Sequence, residues 1–274
     1  MRRRNSFGAA AMFFVAAICS TSPCAMAQDD LTRLLDRLRA NPLDEGTLIA
    51  LEDRPLDAKT IPALKEAFER RDEKRDKQFI AVTLIHLGEQ SNVYFEFLAQ
   101  YAKQAIDDRT PSPLKYDAAG KYVKGQYSAA FENWCAQNGK DPKSVVAFQG
   151  DAANDVLLLS RAQDPRAEKL FVQGLDSAHE LVVAYSVEGL GRLQVASAIP
   201  KIAQLCDNLS ADAARGLGLQ LAWFSDIRAL QVMERVVPDE RLRNFTLGTV
   251  AMQRQAEFET ALRRAGRMAP AKVR

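Results

Sequence analysis

The chain has 274 residues, 47% of them hydrophobic and 26% charged, with 37 Lys+Arg against 35 Asp+Glu and a formal net charge of +2. The first 27 residues hold three of those arginines and none of the acids, so the remainder is close to neutral. Nucleic acid and anionic membranes select a cationic face that releases counterions, and a membrane span needs about 20 apolar residues in a row; both partner classes, and membrane insertion, are therefore excluded on this reading.

The chain opens on Met1-Arg2-Arg3-Arg4, continues through an apolar stretch from Ala9 to Ile18, and reaches Ala25-Met26-Ala27 just ahead of Gln28-Asp29-Asp30. A basic head, a short apolar run and small residues at the cleavage point are the three parts of a secretory signal peptide. Residues 1–27 are expected to be removed after Ala27, which places the mature protein in the periplasm or outside the cell. About 247 residues remain, enough for a sizeable core.

Residues 28–56 read as N-terminal capping helices. Leu31, Leu34, Leu35 and Leu38 recur at helical spacing, Asn41-Pro42 ends that helix, and a second short helix is expected over Glu45 to Leu51 before the turn at Asp53-Arg54-Pro55. Residues 57–106 are more regular. Ile61, Leu64 and Phe68 share one helix face, Ile80, Leu84 and Leu87 the next, and Tyr94, Phe97, Leu98 and Tyr101 a third. The charge run from Arg70 to Lys77 mixes both signs and reads as a solvated turn and helix start.

Residues 107–143 break the regularity. Thr110-Pro111-Ser112-Pro113 leads into an amphipathic pattern through Tyr116, Ala119, Val123, Tyr127, Ala130, Phe131 and Trp134, read as an irregular aromatic helical insert that fills a junction. Asp141-Pro142 then supplies the N-cap and first-turn proline of the next helix.

Residues 144–266 carry the clearest signal. From Asp164 the chain repeats every 31 residues without a gap, as Asp164 to Gln194, Val195 to Ser225 and Asp226 to Ala256. In the first helix of each unit the columns are Ala167, Ala198, Ala229; Phe171, Ile202, Met233; Gly174, Leu205, Val236; and Leu175, Cys206, Val237. In the second they are Val183, Ala214, Phe245 and Leu190, Leu221, Met252. A last short helix, Phe258 to Arg264, is expected to cap the stack, with residues 267–274 as a frayed tail.

Units of two helices in 30 to 47 residues mark helical solenoids. Ile61-Pro62-Ala63-Leu64 and Ala198-Ile199-Pro200-Lys201-Ile202 resemble the first-helix signature of HEAT repeats, particularly the short bacterial PBS-lyase-like kind. Leu87-Gly88 and Gly189-Leu190-Gly191-Arg192-Leu193 resemble the end of their second helix, and Asp164-Pro165-Arg166-Ala167 their inter-repeat loop. The resemblance implies an all-α fold, a right-handed superhelical solenoid of antiparallel helix pairs with an irregular helical middle. HEAT units commonly pair an early second-helix arginine with a turn aspartate; here the aligned positions hold Gln78, Val183, Ala214 and Phe245, so the ladder of turn charges is either missing or rebuilt from Arg215 and Arg243.

No catalytic set emerges. His179-Glu180 begins an H-E-x-x-H, but Val183 stands where the second histidine belongs; His179 reads as solvated surface and His86 as a satisfied, partly buried residue. Gly189-Leu-Gly191 and Gly216-Leu-Gly218 lack the strand and third glycine of a dinucleotide fingerprint and serve close helix packing. Cys135 and Cys206, more than two repeats apart, are expected to be buried and unbridged. No cofactor or metal is expected. The leading reading is an exported scaffold that binds a protein or peptide on its concave surface, through exposed second-helix positions Glu188, Arg192, Gln220, Trp223 and Arg254. The alternatives are an enzyme or accessory subunit, as the PBS-lyase-like resemblance implies, and a structural protein of the cell envelope.

Overall fold

The computed structural model describes residues 31–40, 47, 50, 51, 60–89 and 91–268. The expected leader, most of the helix over Glu45 to Leu51, the turn at Asp53-Arg54-Pro55 and the last six residues lie outside them; Thr47, Ala50 and Leu51 are helical. The fold is mostly helical. After α1 (Leu31–Ala40) come α2 (Thr60–Arg70), α3 (Lys74–His86) and α4 (Asn92–Asp107), then strands β1 (Leu114–Tyr116) and β2 (Tyr122–Tyr127), then α5 (Ala129–Gln137) and α6 (Pro142–Ala162). Helices α7 (Glu168–Gly174), α8 (Glu180–Arg192), α9 (Ile199–Asn208), α10 (Ala211–Gln220), α11 (Ile227–Val236) and α12 (Glu240–Met268) complete the chain, with short 3-10 turns at Pro165–Ala167, Ala196–Ala198 and Leu221–Trp223.

Two kinds of helix sort themselves by how much of their circumference is apolar. α3, α6, α8 and α10 form an inner row in which each packs on the next. α3 buries Phe79, Ile80, Ala81, Val82 and Leu84 in succession, and α6 buries Val156 to Leu159, runs that only a helix covered on several sides can carry. α2, α4, α7, α9 and α11 lie against that row with one face each; α9 buries Ile199, Ile202 and Cys206, and α11 buries Ala229 and Met233. Three of the four first-helix columns of the 31-residue pattern are buried throughout, from Phe171 through Ile202 to Met233, while in the fourth Leu205 and Val236 are only partly covered.

Glycine sets the spacing between rows. A Cβ on Gly189 would stand 2.6 Å from the buried Phe171 ring, and one on Gly218 only 2.3 Å from Val236, so these two positions let outer helices approach, as the sequence suggests. Cys135 and Cys206 are free and buried.

The middle section departs from expectation. In place of a long helix through Tyr116 to Trp134, the chain forms an antiparallel hairpin with Leu114 opposite Tyr127 and Tyr116 opposite Tyr122, followed by the short helix α5. Asp117 Oδ1 accepts the N–H groups of Ala119 and Lys121 at 2.9 Å, and Gly120 takes a φ of +73°. That side-chain turn and the left-handed glycine halt a helix where apolar spacing alone allows one. Because α4 and α6 pack on each other, everything from Asp108 to Asp141 is inserted between two neighbouring helices.

Three further expectations fail. The charge run from Arg70 is not solvated throughout, since Arg75 and Asp76 are 6% and 0% exposed. Arg75 Nη1 and Gln78 Nε2 both donate to Asp155 Oδ1 on α6, at 3.1 and 2.9 Å. His179 is buried rather than on the surface, at the start of α8 where α6 and α7 flank it. Phe258 to Arg264 is no separate cap; it belongs to α12, which runs unbroken from Glu240 to Met268.

Candidate functional site

Of the residues expected to form an exposed binding surface, Glu188, Arg192 and Trp223 meet one another, and all five are at least partly covered. Glu188, Gln220 and Trp223 are each 6% exposed, and the Arg192 side chain 2%; Arg254 is half-buried. α12 covers part of this face: it packs on the 221–223 turn and on α11, and its Glu257 reaches Arg192 and Gln163 at the C-terminal ends of α8 and α6.

Arg192 is the centre of this face. As the last residue of α8, it stands where the helix carbonyls point outward and a cation is favoured. Its Nε donates to Glu188 Oε1 at 2.8 Å, one turn back, and its Nη1 donates to Glu257 Oε1 of α12 at 2.6 Å. The guanidinium carbon lies 3.8 Å from the centroid of the Trp223 ring, within cation–π range. Gln163 Nε2 donates to the other Glu257 oxygen at 2.9 Å. One carboxylate therefore ties α12 to the ends of α6 and α8 together. Arg254 Nη1 adds a bond to Ser225 Oγ at 2.8 Å.

Burial pushes the Glu257 carboxyl up, but the Arg192 charge, with hydrogen bonds from Arg192 and Gln163, outweighs it and holds the group below the usual carboxylate range. On the neighbouring turn of α8, burial pushes the Tyr185 phenol up to about 12, helped by Glu188 and opposed by Arg161. Behind them His86 Nε2 shares a 2.7 Å hydrogen bond with the Arg161 carbonyl, the satisfied, half-buried histidine the sequence suggests.

Two glutamines prepare the geometry, and the sequence reading missed both. Gln163 and Gln194 stand 31 residues apart and are the two non-glycine residues with positive φ, at 50° and 56°, among the described residues. A left-handed residue after a helix turns the chain and frees its side chain to reach sideways. Gln194 reaches the next unit, donating to the Trp223 carbonyl at 2.8 Å and accepting from the Ser225 N–H at 2.8 Å. Gln163 reaches Glu257 instead. The recurrence at the repeat period is a signal that could have found them.

At the opposite ends of the inner helices the hairpin docks. Tyr116 Oη donates to Glu180 Oε2 at 2.5 Å, Tyr122 N–H to Asp212 Oδ2 at 2.8 Å, and Asp212 N–H to the Gly120 carbonyl at 3.1 Å. Burial raises the Glu180 pKa, partly offset by bonds from Tyr116 and Ser112. Burial likewise raises that of Tyr116, reinforced by Glu180. This acid and phenol are matched to each other and hold the hairpin down. A third cluster, Lys74 and Arg75 with Asp151 and Asp155, joins α3 to α6: Lys74 Nζ lies 2.9 Å from Asp151 Oδ2, and burial lifts the Asp155 pKa against the cations beside it.

Among the described residues no group of three or more His, Cys, Asp and Glu is placed to hold a metal ion, and no helix is long and apolar enough to cross a membrane. No protein-family model, no curated protein and no solved structure matches the chain.

Proposed function

We propose that this chain is an exported HEAT-like repeat scaffold, a right-handed α-solenoid of antiparallel helix pairs, that binds a protein or peptide partner and carries out no catalysis of its own. The serial packing of α3, α6, α8 and α10 supports the repeat reading, and the leader sequence supports a periplasmic or secreted location. The observation that carries the binding reading is Arg192. A buried cation stacked on Trp223, at an edge where successive helices end, accepts a carboxylate from a separate helix. Repeat arrays use their continuous surfaces in this way, and buried Arg and Trp dominate the energetics of recognition.

The test is in-cell crosslinking of the mature protein followed by affinity purification. One stoichiometric protein partner, lost on Arg192→Glu while the helical signal by circular dichroism is kept, is the expected result. Absence of any partner together with turnover of a small molecule by the purified protein overturns the reading.

A further inference from the structure

α12 is seated by one face and bare on the other. Val250 and Thr260 are buried against the body, Leu242 and Leu247 are partly so, and Glu257 reaches Arg192. Opposite them, Phe245 is 48% exposed, Met252 58%, Phe258 63% and Leu262 55%. A helix already fixed in the fold thus leaves four large apolar side chains in water, an unfavourable arrangement that a covering surface removes.

The bare face has a period. Arg241, Phe245, Gly248, Met252, Gln255 and Glu259 are all exposed and follow one another at alternating steps of four and three residues. That is the a/d seam by which one helix meets another along its length. Its charges stand only at the two ends, Arg241 at one and Glu259 at the other, 18 residues or about 27 Å apart. They are too distant to pair within the helix. Turned end for end, the seam complements itself. A second α12 laid antiparallel, with Val250 at the same height, sets Arg241 against Glu259, Phe245 against Gln255 and Gly248 against Met252, and the twofold axis repeats each pair. Opposite charges meet at both ends. Near the centre, Gly248 has nothing within 4 Å of where a side chain would begin, which leaves room for Met252 of the other copy. A parallel pairing sets Arg241 on Arg241 and Glu259 on Glu259 instead, and like charges repel.

We propose that the outer face of α12 is a homodimer interface, in which two copies of this chain pair their last helices antiparallel about a twofold axis near Val250. The seam is about five turns long and contains a glycine and a glutamine, which places it among weak, concentration-dependent interfaces. It lies on the side of α12 away from Arg192, so it stands apart from the partner-binding reading above and does not depend on it.

The test is sedimentation velocity of the full mature chain from about 1 μM to about 200 μM, a range that brackets weak association. The mass should rise from that of one chain to that of two. Met252→Asp should stay at one chain throughout, with its circular dichroism and its melting at the lowest concentration unchanged. Arg241→Glu sets like charges at both ends and should weaken dimerisation roughly ten-fold; Arg241→Glu combined with Glu259→Arg in one chain should restore it. A single chain at every concentration overturns the proposal. So does a dimer that survives Met252→Asp, because its contact lies elsewhere, and so does a charge swap that fails to recover what Arg241→Glu loses. If Met252→Asp lowers the melting point at the lowest concentration, the charge swap alone decides. Each of these outcomes leaves the reading of the Arg192 cluster untouched.

Discussion

α8 and α12 hold equivalent places in the 31-residue pattern and have opposite fates. In α8 every residue from Ala184 to Gly191 is buried, and Leu190 is 0% exposed; in α12 the residue in the same column, Met252, is 58% exposed. The chemistry of the two positions is alike. What differs is company, since α8 lies between α6 and α10, while α12 packs on α11 and the 221–223 turn and leaves its outer side to solvent. A column of apolar residues states what a helix can bury, and the neighbours decide whether it does.

The comparison can be broken most sharply at Leu190. Leu190→Ala removes a fully enclosed side chain and should cost about 2–5 kcal/mol, read as a lower urea midpoint at unchanged slope. Arg192→Ala comes next. Removing one partner of a buried pair costs about 3–5 kcal/mol, reduced here to about 2–3 kcal/mol because Glu257 remains 26% exposed. Hydrogen exchange should rise in α12 before it rises in α8; a uniform rise would mean that α12 is held by something other than Arg192.

Glycine gives the comparison a change of sign. Gly189→Ala sets a methyl 2.6 Å from a buried ring and should destabilise by about 1–3 kcal/mol. Gly248→Ala on α12 meets nothing within 4 Å and should stabilise by about 0.5–1 kcal/mol through helix propensity. Thermal melts of the two variants should move in opposite directions.

Acid should separate the two regions as well. The folded pKa of Glu257 lies below its unfolded value, so its contribution is complete above about pH 4.3 and is lost as the pH falls through the folded value. Exchange of α12 amides, corrected for intrinsic rates, should rise below about pH 4 while α8 remains protected; Glu257→Gln should abolish the pH dependence. The smallest effect is expected at Met252→Ala, within about 0.5 kcal/mol, and a loss comparable to that of Leu190→Ala would show that the exposed face of α12 is covered in solution.

Much of the fold was legible. The apolar spacing of Ile61, Leu64 and Phe68, and the first-helix columns from Ala167 onward, carried the helices and most of their buried faces, because a helix places every third or fourth residue on one side whatever it packs against; the second-helix columns ended exposed at Phe245 and Met252. The insert was less legible. Tyr116 to Trp134 satisfies a helical period, yet Asp117 and Gly120 make a turn whose backbone bonds outweigh that spacing. The site was legible in composition and not in exposure, since Glu188, Arg192 and Trp223 were singled out as surface and have buried side chains.

The sequence by itself determined most of the helical stretches outside the Tyr116 to Trp134 insert, where the pattern repeats, and that charged and aromatic residues gather at the ends of second helices. These follow from local periodicity and capping, which involve residues a few positions apart. Only the tertiary structure decided that Glu257 returns 65 residues along the chain to Arg192, and that α12 turns Val250 inward and Phe258 outward. The physical reason is range. Helix direction after Pro238 is set by a short link and by the balance of ion pairing and burial between distant elements, and no local pattern encodes that balance.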